Sequence, residues 1–171
     1  PGKIVRAPKF DDRSLFRYKP GYATPVFATG LDWSGHEAGP QNRGRGFAAA
    51  VEMCNNNGHC RKFDAGTMCP SFRVTRDEEH VTRGRANTLR LAVSGQLGPD
   101  FASEEVRNAL DLCVSCKGCR RDCPTGVDMA KMKIEFTAHY KAKHGWSAKD
   151  RLIARLPDYA HRASQAAPLM N

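Results

Sequence analysis

Four of the seven cysteines lie in one short run, CVSCKGCRRDCP, at residues 113–124. Cys113, Cys116 and Cys119 follow one another at three-residue steps, and Cys123 stands immediately before a proline. This C-x2-C-x2-C-x3-C-P spacing is typical of iron–sulfur sites: three thiolates on one tight turn reach three corners of a cluster, and the fourth cysteine points away from it. The run therefore predicts iron–sulfur chemistry.

A second, degenerate run reads CNNNGHCRKFDAGTMCP at residues 54–70. Cys54 and Cys60 are six residues apart, as the outer cysteines of C-x2-C-x2-C would be, but Asn57 occupies the middle position. Cys69 precedes a proline after a gap of eight residues instead of three. This half keeps two of the three local ligands and the Cys-Pro, so we interpret the two runs as halves of one arrangement.

Zinc is the main alternative to iron–sulfur. Structural zinc sites use two separated pairs of cysteines in a tetrahedron, and three cysteines at successive three-residue steps do not form two such pairs. A thioredoxin-type C-x-x-C expects a strand and a βαβ unit, which the sequence lacks. The competing hypothesis is a structural zinc site that makes the chain a basic docking platform between protein domains.

The chain has 171 residues, 40% of them hydrophobic, which is enough for one packed domain with extensions. No stretch reaches the ~20 apolar residues of a membrane span. The net charge of +9 splits into +4 for residues 1–45, +1 for 46–127 and +4 for 128–171. Because the basic residues lie away from the cysteines, the pattern argues against nucleic-acid binding, and a membrane-surface role has no support.

The residues between and after the cysteines predict helices. Helical patterns cover residues 46–53 and 77–93, a third helix follows a Ser103 cap, and residues 55–72 form a loop. After an Asp128 cap, apolar residues recur at helical spacing until His144–Gly145, and Ser147 starts a helix that ends at Pro157. No alternating strand pattern occurs. The predicted fold class is mostly α, preceded by an extended, proline-rich arm over residues 1–45.

The arrangement resembles the α-helical ferredoxin module of succinate dehydrogenase and glycolate oxidase iron–sulfur subunits. It is most similar to the central segment of large bacterial FAD-linked oxidases of the D-2-hydroxyglutarate dehydrogenase type. The residues that carry this resemblance are CNNNGHCRK, GTMCPSFRVTRDEEHVTRGRANTLR and ALDLCVSCKGCRRDCPTGVDMAKMKIEF. The missing cysteine at Asn57 is shared with that group and not with the wider module.

The resemblance implies an electron carrier: an FAD-oxidase domain before this segment oxidises a D-2-hydroxy acid, and a cysteine-rich domain follows. The expected domains are an arm (1–45), an α-helical ferredoxin domain (46–145) and a C-terminal helix with a linker (146–171). FAD would be bound by the parent protein and not by this segment, in which no catalytic residues stand out. The terminal acceptor is unidentified, and a cytoplasmic setting is expected.

Crossed ligation makes Cys69 the fourth ligand of a [4Fe-4S] cluster on Cys113, Cys116 and Cys119. Cys54, Cys60 and Cys123 are then left for a second site that is one thiolate short, similar to the three-iron site of succinate dehydrogenase. Three states stay open for it: a [3Fe-4S] cluster, a [4Fe-4S] cluster with a non-cysteine ligand such as Asn57 or His59, or an empty site. Arg83 and Arg85 either hydrogen-bond near a cluster or pair with residues 77–79, and we favour the pairing.

Overall fold

A computed structural model describes residues 28–36, 46–63 and 66–165 of the chain, and all regular elements in those ranges are helical. The mostly α fold class is therefore confirmed. In chain order the helices are α1 (Phe47–Glu52), α2 (Pro70–Thr75), α3 (Thr82–Val93), α4 (Glu104–Asp111), α5 (Gly118–Asp122), α6 (Met129–His144), α7 (Ala148–Ala154) and α8 (Leu156–Gln165). Short 3-10 turns lie at His59–Arg61 and Glu78–His80.

Helix α3 is the central element, because it packs against α1, α4 and α6. Its Leu89 is fully buried, as are Leu110 of α4 and Met132 of α6. The apolar residues at three- and four-residue steps on these helices form one continuous core. The cysteines lie on loops and helix ends around this core, so a rigid frame positions them.

Three predicted helix starts are confirmed by their caps. The Ser103 side chain accepts a hydrogen bond from the N–H of Val106, and Asp128 accepts one from Lys131. Ser147 forms a capping box with Asp150 at the start of α7. These side chains satisfy backbone donors that have no partner inside the helix.

The helix predicted over residues 77–93 is wrong at its start. Residues 78–80 form a 3-10 turn capped by Asp77, and α3 begins only at Thr82. The turn folds back onto α3 so closely that a Cβ on Gly84 would lie 1.9 Å from the carbonyl oxygen of Glu78. Glycine at position 84 therefore permits the interruption between the 3-10 turn and α3, which the helical sequence pattern did not indicate.

Two proline-related predictions also need correction. Residues 70–72, the end of the predicted loop, belong to α2, because Pro70 takes the first helical position, where its missing N–H has no partner to lose. Pro157, predicted to end a helix, lies in the first turn of α8, and the preceding helix α7 ends at Ala154. None of the described helices is both long and apolar enough to cross a bilayer.

The described part of the arm, residues 28–36, is held to α6 by the side chains of Glu135 and Lys131. Glu135 is 1% exposed and accepts hydrogen bonds from the backbone N–H groups of Gly30 and Leu31 and from the indole N–H of Trp33. Trp33 is itself buried against Phe47. The rest of the predicted arm lies outside the described residues, and the domain boundaries stay predictions.

Candidate metal centre

Four cysteines from two distant parts of the chain line one cavity: Cys69, Cys113, Cys116 and Cys119. Cys69 immediately precedes α2, Cys113 follows α4, and Cys119 lies in α5. Thr82 and Arg85 of α3 and Met129 of α6 complete the wall. The structure thus brings together the four residues that the sequence analysis grouped as one ligand set.

The loop that carries three of these cysteines adopts a strained backbone. Ser115 and Lys117, on either side of Cys116, have φ values of +54° and +58°, and Cys69 has a φ of +52°. Residues with side chains rarely adopt this left-handed conformation, and such strain concentrates at functional sites. Gly118 permits the tight contact with the opposite loop, because a Cβ there would lie 2.8 Å from Oγ1 of Thr67.

Hydrogen-bond donors point at two of the four sulfur atoms. The backbone N–H of Thr82 donates to Sγ of Cys69 at 3.0 Å, and the Thr82 hydroxyl lies 2.8 Å from the same atom. The N–H of Met129 donates to Sγ of Cys119 at 3.3 Å. Such donors stabilise bound thiolates and tune the potential of a cluster. In the sequence Thr82 stands only within a longer motif, and nothing in its spacing indicates this role.

Arg85 is a buried cation in the wall of this cavity. It is 2% exposed, and it donates hydrogen bonds to the carbonyl oxygen of Ala109 and to the hydroxyl of Ser71. It forms no ion pair within the described ranges, whereas Arg83 pairs with Glu78 at 2.6 Å. The favoured pairing with residues 77–79 is therefore correct for Arg83 and wrong for Arg85.

The remaining three cysteines form a second group. Cys54 has Cys123 and Cys60 as neighbours, and Cys60 is also a neighbour of Cys69 in the first set. Cys60 is buried, and Cys54 and Cys123 are half-buried at the edge of the core. The hydroxyl of Thr125 lies 3.2 Å from Sγ of Cys123. The structure thus groups the three cysteines that were left over after the first set.

The two candidates for a non-cysteine ligand differ in their surroundings. The exposed Asn57 amide is engaged within its own loop: its oxygen accepts the N–H of His59 at 2.8 Å, and its nitrogen donates to Asn55 at 2.7 Å. His59 is half-buried at the start of the 3-10 turn that contains Cys60. Asn57 would have to give up both bonds to bind iron.

Burial controls the protonation of most of these thiols. Burial raises the pKa of Cys60 and of Cys119 to about 11, and it also raises the pKa of Cys54 and Cys69. At Cys123 burial also acts upward, but hydrogen bonds from Thr125 and neighbouring backbone N–H groups outweigh it and lower the pKa. The buried thiols are thus neutral near pH 7 unless a bound cation displaces their protons.

Comparison with known proteins relates the part of the chain that carries the cysteines to an iron–sulfur domain. Residues 50–127 match the model of the 4Fe-4S dicluster domain. The chain is 28% identical to D-2-hydroxyglutarate dehydrogenase of Escherichia coli strain K12, in an alignment that covers 69% of this chain and 15% of that protein. The corresponding enzyme of Haemophilus influenzae is also 28% identical, with the same coverage.

Another relative matches a shorter part of the chain. The probable glycolate oxidase iron-sulfur subunit of Bacillus subtilis is 32% identical over 79 residues, which is 44% of this chain and 17% of that protein. The chain thus spans only about 15% of the length of the first curated relatives it matches. No solved structure matches it significantly.

Proposed function

We propose that this chain, whose residues 50–127 belong to the 4Fe-4S dicluster domain family, carries electrons through iron–sulfur clusters. In this proposal Cys69, Cys113, Cys116 and Cys119 hold one [4Fe-4S] cluster. The observation that carries it is the common cavity of these four thiols, which joins a Cys-Pro with the C-x2-C-x2-C run of a distant segment. This crossed pairing is the ligand pattern of two-cluster ferredoxins.

The donor set fits an anionic, thiolate-bound group. Arg85 provides a buried positive charge, and an unpaired charge in a protein interior is costly unless an anion compensates it. Thr82 and Met129 direct N–H groups at the sulfurs of Cys69 and Cys119. When bound, iron–sulfur clusters accept and release single electrons. The chain's own residues bring the thiolates to one cavity and place a buried positive charge in its wall.

The cysteine sulfurs are not gathered as a single zinc ion would hold them. Zinc at about 2.3 Å from each thiolate holds sulfurs roughly 3.8 Å apart in a tetrahedron. Among the described residues, no three cysteine sulfurs lie within 4.8 Å of one another. A four-iron cube spreads its thiolates wider than a single ion does. The zinc-bound docking platform therefore has less support than the electron carrier.

The proposal also includes the reaction that supplies electrons to the clusters. Relatives named D-2-hydroxyglutarate dehydrogenase and glycolate oxidase iron-sulfur subunit support an FAD-linked oxidation of a D-2-hydroxy acid as the source of electrons. An FAD-oxidase domain before this segment and a cysteine-rich domain after it would be its partners. The flavin releases two electrons, and one-electron clusters are suited to take them singly.

The second site, on Cys54, Cys60 and Cys123, has one thiolate too few for an ordinary cube. The proposal keeps three states for it: a [3Fe-4S] cluster, a [4Fe-4S] cluster with Asn57 or His59 as a ligand, and no cluster. The loop bonds of Asn57 favour a corner without an amide ligand. Soft thiolates suit these clusters better than an amide oxygen does.

The test is anaerobic purification of the chain followed by iron, acid-labile sulfide and zinc analysis. We expect a brown protein that dithionite bleaches, with iron and sulfide in equal amounts if it holds only [4Fe-4S] clusters, and with slightly less iron than sulfide if the second site holds a [3Fe-4S] cluster. Cys116→Ser should lose iron, while the control Ser115→Ala, in the same exposed loop, should keep it. A colourless protein with stoichiometric zinc would refute the electron carrier and support the platform.

A further inference from the structure

The first cysteine cavity has one of its thiols at the protein surface. Of its four thiols, Cys69 and Cys119 are buried and Cys113 is half-buried, whereas Cys116 is exposed. A shallow cleft adjoins Cys116 and is lined by Thr67, Lys117, Arg120 and Arg121. A group held in the cavity is therefore nearest to solvent at this cleft, which we name the Cys116 patch.

The Cys116 patch presents positive charge to solvent although its arginines are ion-paired. The side chains of Arg120 and Arg121 are 63% and 69% exposed, but those of their partners Asp128 and Asp122 are only 6% and 15% exposed. The carboxylates thus lie beneath the guanidinium groups. Lys117 is exposed and forms no ion pair with any residue that the structure describes.

An apolar side chain lines the cavity together with one of these cations, Lys117. Val114 also lines the cavity and is 69% exposed, between two proposed ligands in the sequence. An apolar contact rimmed by charges of one sign is the anatomy of a small, transient interface. Electron-transfer encounters are of this kind, with charge complementarity setting the association rate.

We infer that the Cys116 patch is the docking surface for an acidic redox partner, a protein or domain with carboxylates around its own redox centre. Electrons cross at Cys116, where the thiol is accessible and the surrounding charges orient the partner. This inference rests on the proposed function, and it adds which face the partner uses and what charge that partner bears. It also predicts that small anionic oxidants react faster than cationic ones.

The test uses the iron-loaded chain, reduced by dithionite and freed of excess reductant. Its reoxidation is followed by stopped-flow absorbance with ferricyanide and with tris(phenanthroline)cobalt(III) at several ionic strengths. Each complex takes one electron and no proton, and the protein is oxidised by the same amount. The variant is Lys117→Glu/Arg120→Gln. The matched control, Lys149→Glu/Arg151→Gln on the exposed face of α7, changes the net charge equally.

We expect the wild-type rate with ferricyanide to fall as salt rises, and the patch variant to react about tenfold more slowly at low salt. The cobalt complex should show the opposite change, and the control should stay within about twofold of wild type. Poly-L-glutamate should slow the wild-type reaction with ferricyanide and leave the variant unaffected.

Equal rate changes in the patch variant and the control would overturn the inference, because net charge alone would then explain them. Binding to phosphatidylserine vesicles that the patch variant loses and the control keeps would assign the patch to a membrane, and would overturn it too. Failure of the proposed function looks different: the wild-type chain would show no reversible bleaching with dithionite, and no rate could be measured.

Discussion

Replacing Glu135 with alanine should detach the segment at residues 28–36 from α6. Glu135 accepts bonds from Gly30 N–H at 2.7 Å, Leu31 N–H at 3.0 Å and the Trp33 indole N–H at 3.0 Å. His139, one turn along α6, lies 3.2 Å from the same carboxylate. This single side chain is thus a central anchor for a stretch of chain about 100 residues away in sequence.

The loss of folding stability depends on which of the three donors can bind water once the carboxylate is removed. A hydrogen bond to a charged group contributes about 1.5–3 kcal/mol. Gly30 is exposed, and Leu31 is partly so, and their N–H groups bond water once the carboxylate is gone. The Trp33 indole is 3% exposed and is left without a partner. We therefore expect a loss of roughly 3 kcal/mol, at the lower end of the range for breaking a buried charged network.

The assay is urea denaturation with tryptophan fluorescence, in a Trp146→Phe background. The chain has two tryptophans, and Trp146 is 49% exposed, so its removal leaves the buried Trp33 as the reporter. Glu135→Ala should shift Trp33 emission to the red and speed proteolysis near residues 28–36. Ile134→Ala, at an exposed neighbouring position, is the control. An unchanged emission maximum and an unchanged urea midpoint in Glu135→Ala would refute the reasoning.

The same anchor predicts a pH dependence. Burial acts to raise the pKa of Glu135, but the donors on Trp33, Gly30 and Leu31 outweigh it, so the pKa in the folded protein is lowered. A carboxyl with a lowered pKa contributes stability above its unfolded pKa of about 4.3, and this is lost as pH falls through the folded value. Trp33 emission should therefore stay constant from about pH 8 to 5 and shift to the red only below about pH 4.

Three further predictions concern the cysteine sites. Thr82→Val removes the hydroxyl beside Cys69 and keeps the N–H bond, so the first cluster's potential should fall in an EPR-monitored titration, while Thr82→Ser restores it. Cys69→Ala should lose iron and thermal stability as Cys113→Ala does, since metal binding is coupled to folding; unchanged iron content would contradict crossed ligation. Asn57→Cys should raise the iron content, remove a three-iron EPR signal from the oxidised protein and add a four-iron signal to the dithionite-reduced protein; an unchanged three-iron signal would show that residue 57 does not reach the second site.

Local patterns were sufficient for much of the fold. Ser103, Asp128 and Ser147 were recognisable as caps because a cap is a short-range interaction between a side chain and the next turn. The break before Thr82 was not recognisable, since it depends on how closely Glu78 approaches Gly84 in space. The same limit applies to Pro157, whose sequence allows either the end of one helix or the start of the next.

The residues of the candidate site also differ in whether nearby sequence was enough to predict their roles. Spacing alone grouped Cys113, Cys116 and Cys119, and the general crossing rule added Cys69. The roles of Thr82, Arg85 and Glu135 could not be predicted, because each depends on partners far away in the sequence. A faint signal existed for Glu135: it lies three residues after Met132, on the buried face of α6, where a charged residue needs a partner.

The cavity that joins Cys69 to Cys113 also has a consequence for the unfolded chain. A group bound by both residues closes a loop of roughly 44 residues, which contains α2, α3 and α4. For a cross-link of that length the chain-entropy relation gives about 4 kcal/mol of stabilisation, comparable to a disulfide. A group bound at this site thus ties together the two ends of the segment that contains α2, α3 and α4. The seven cysteines form no disulfide among themselves.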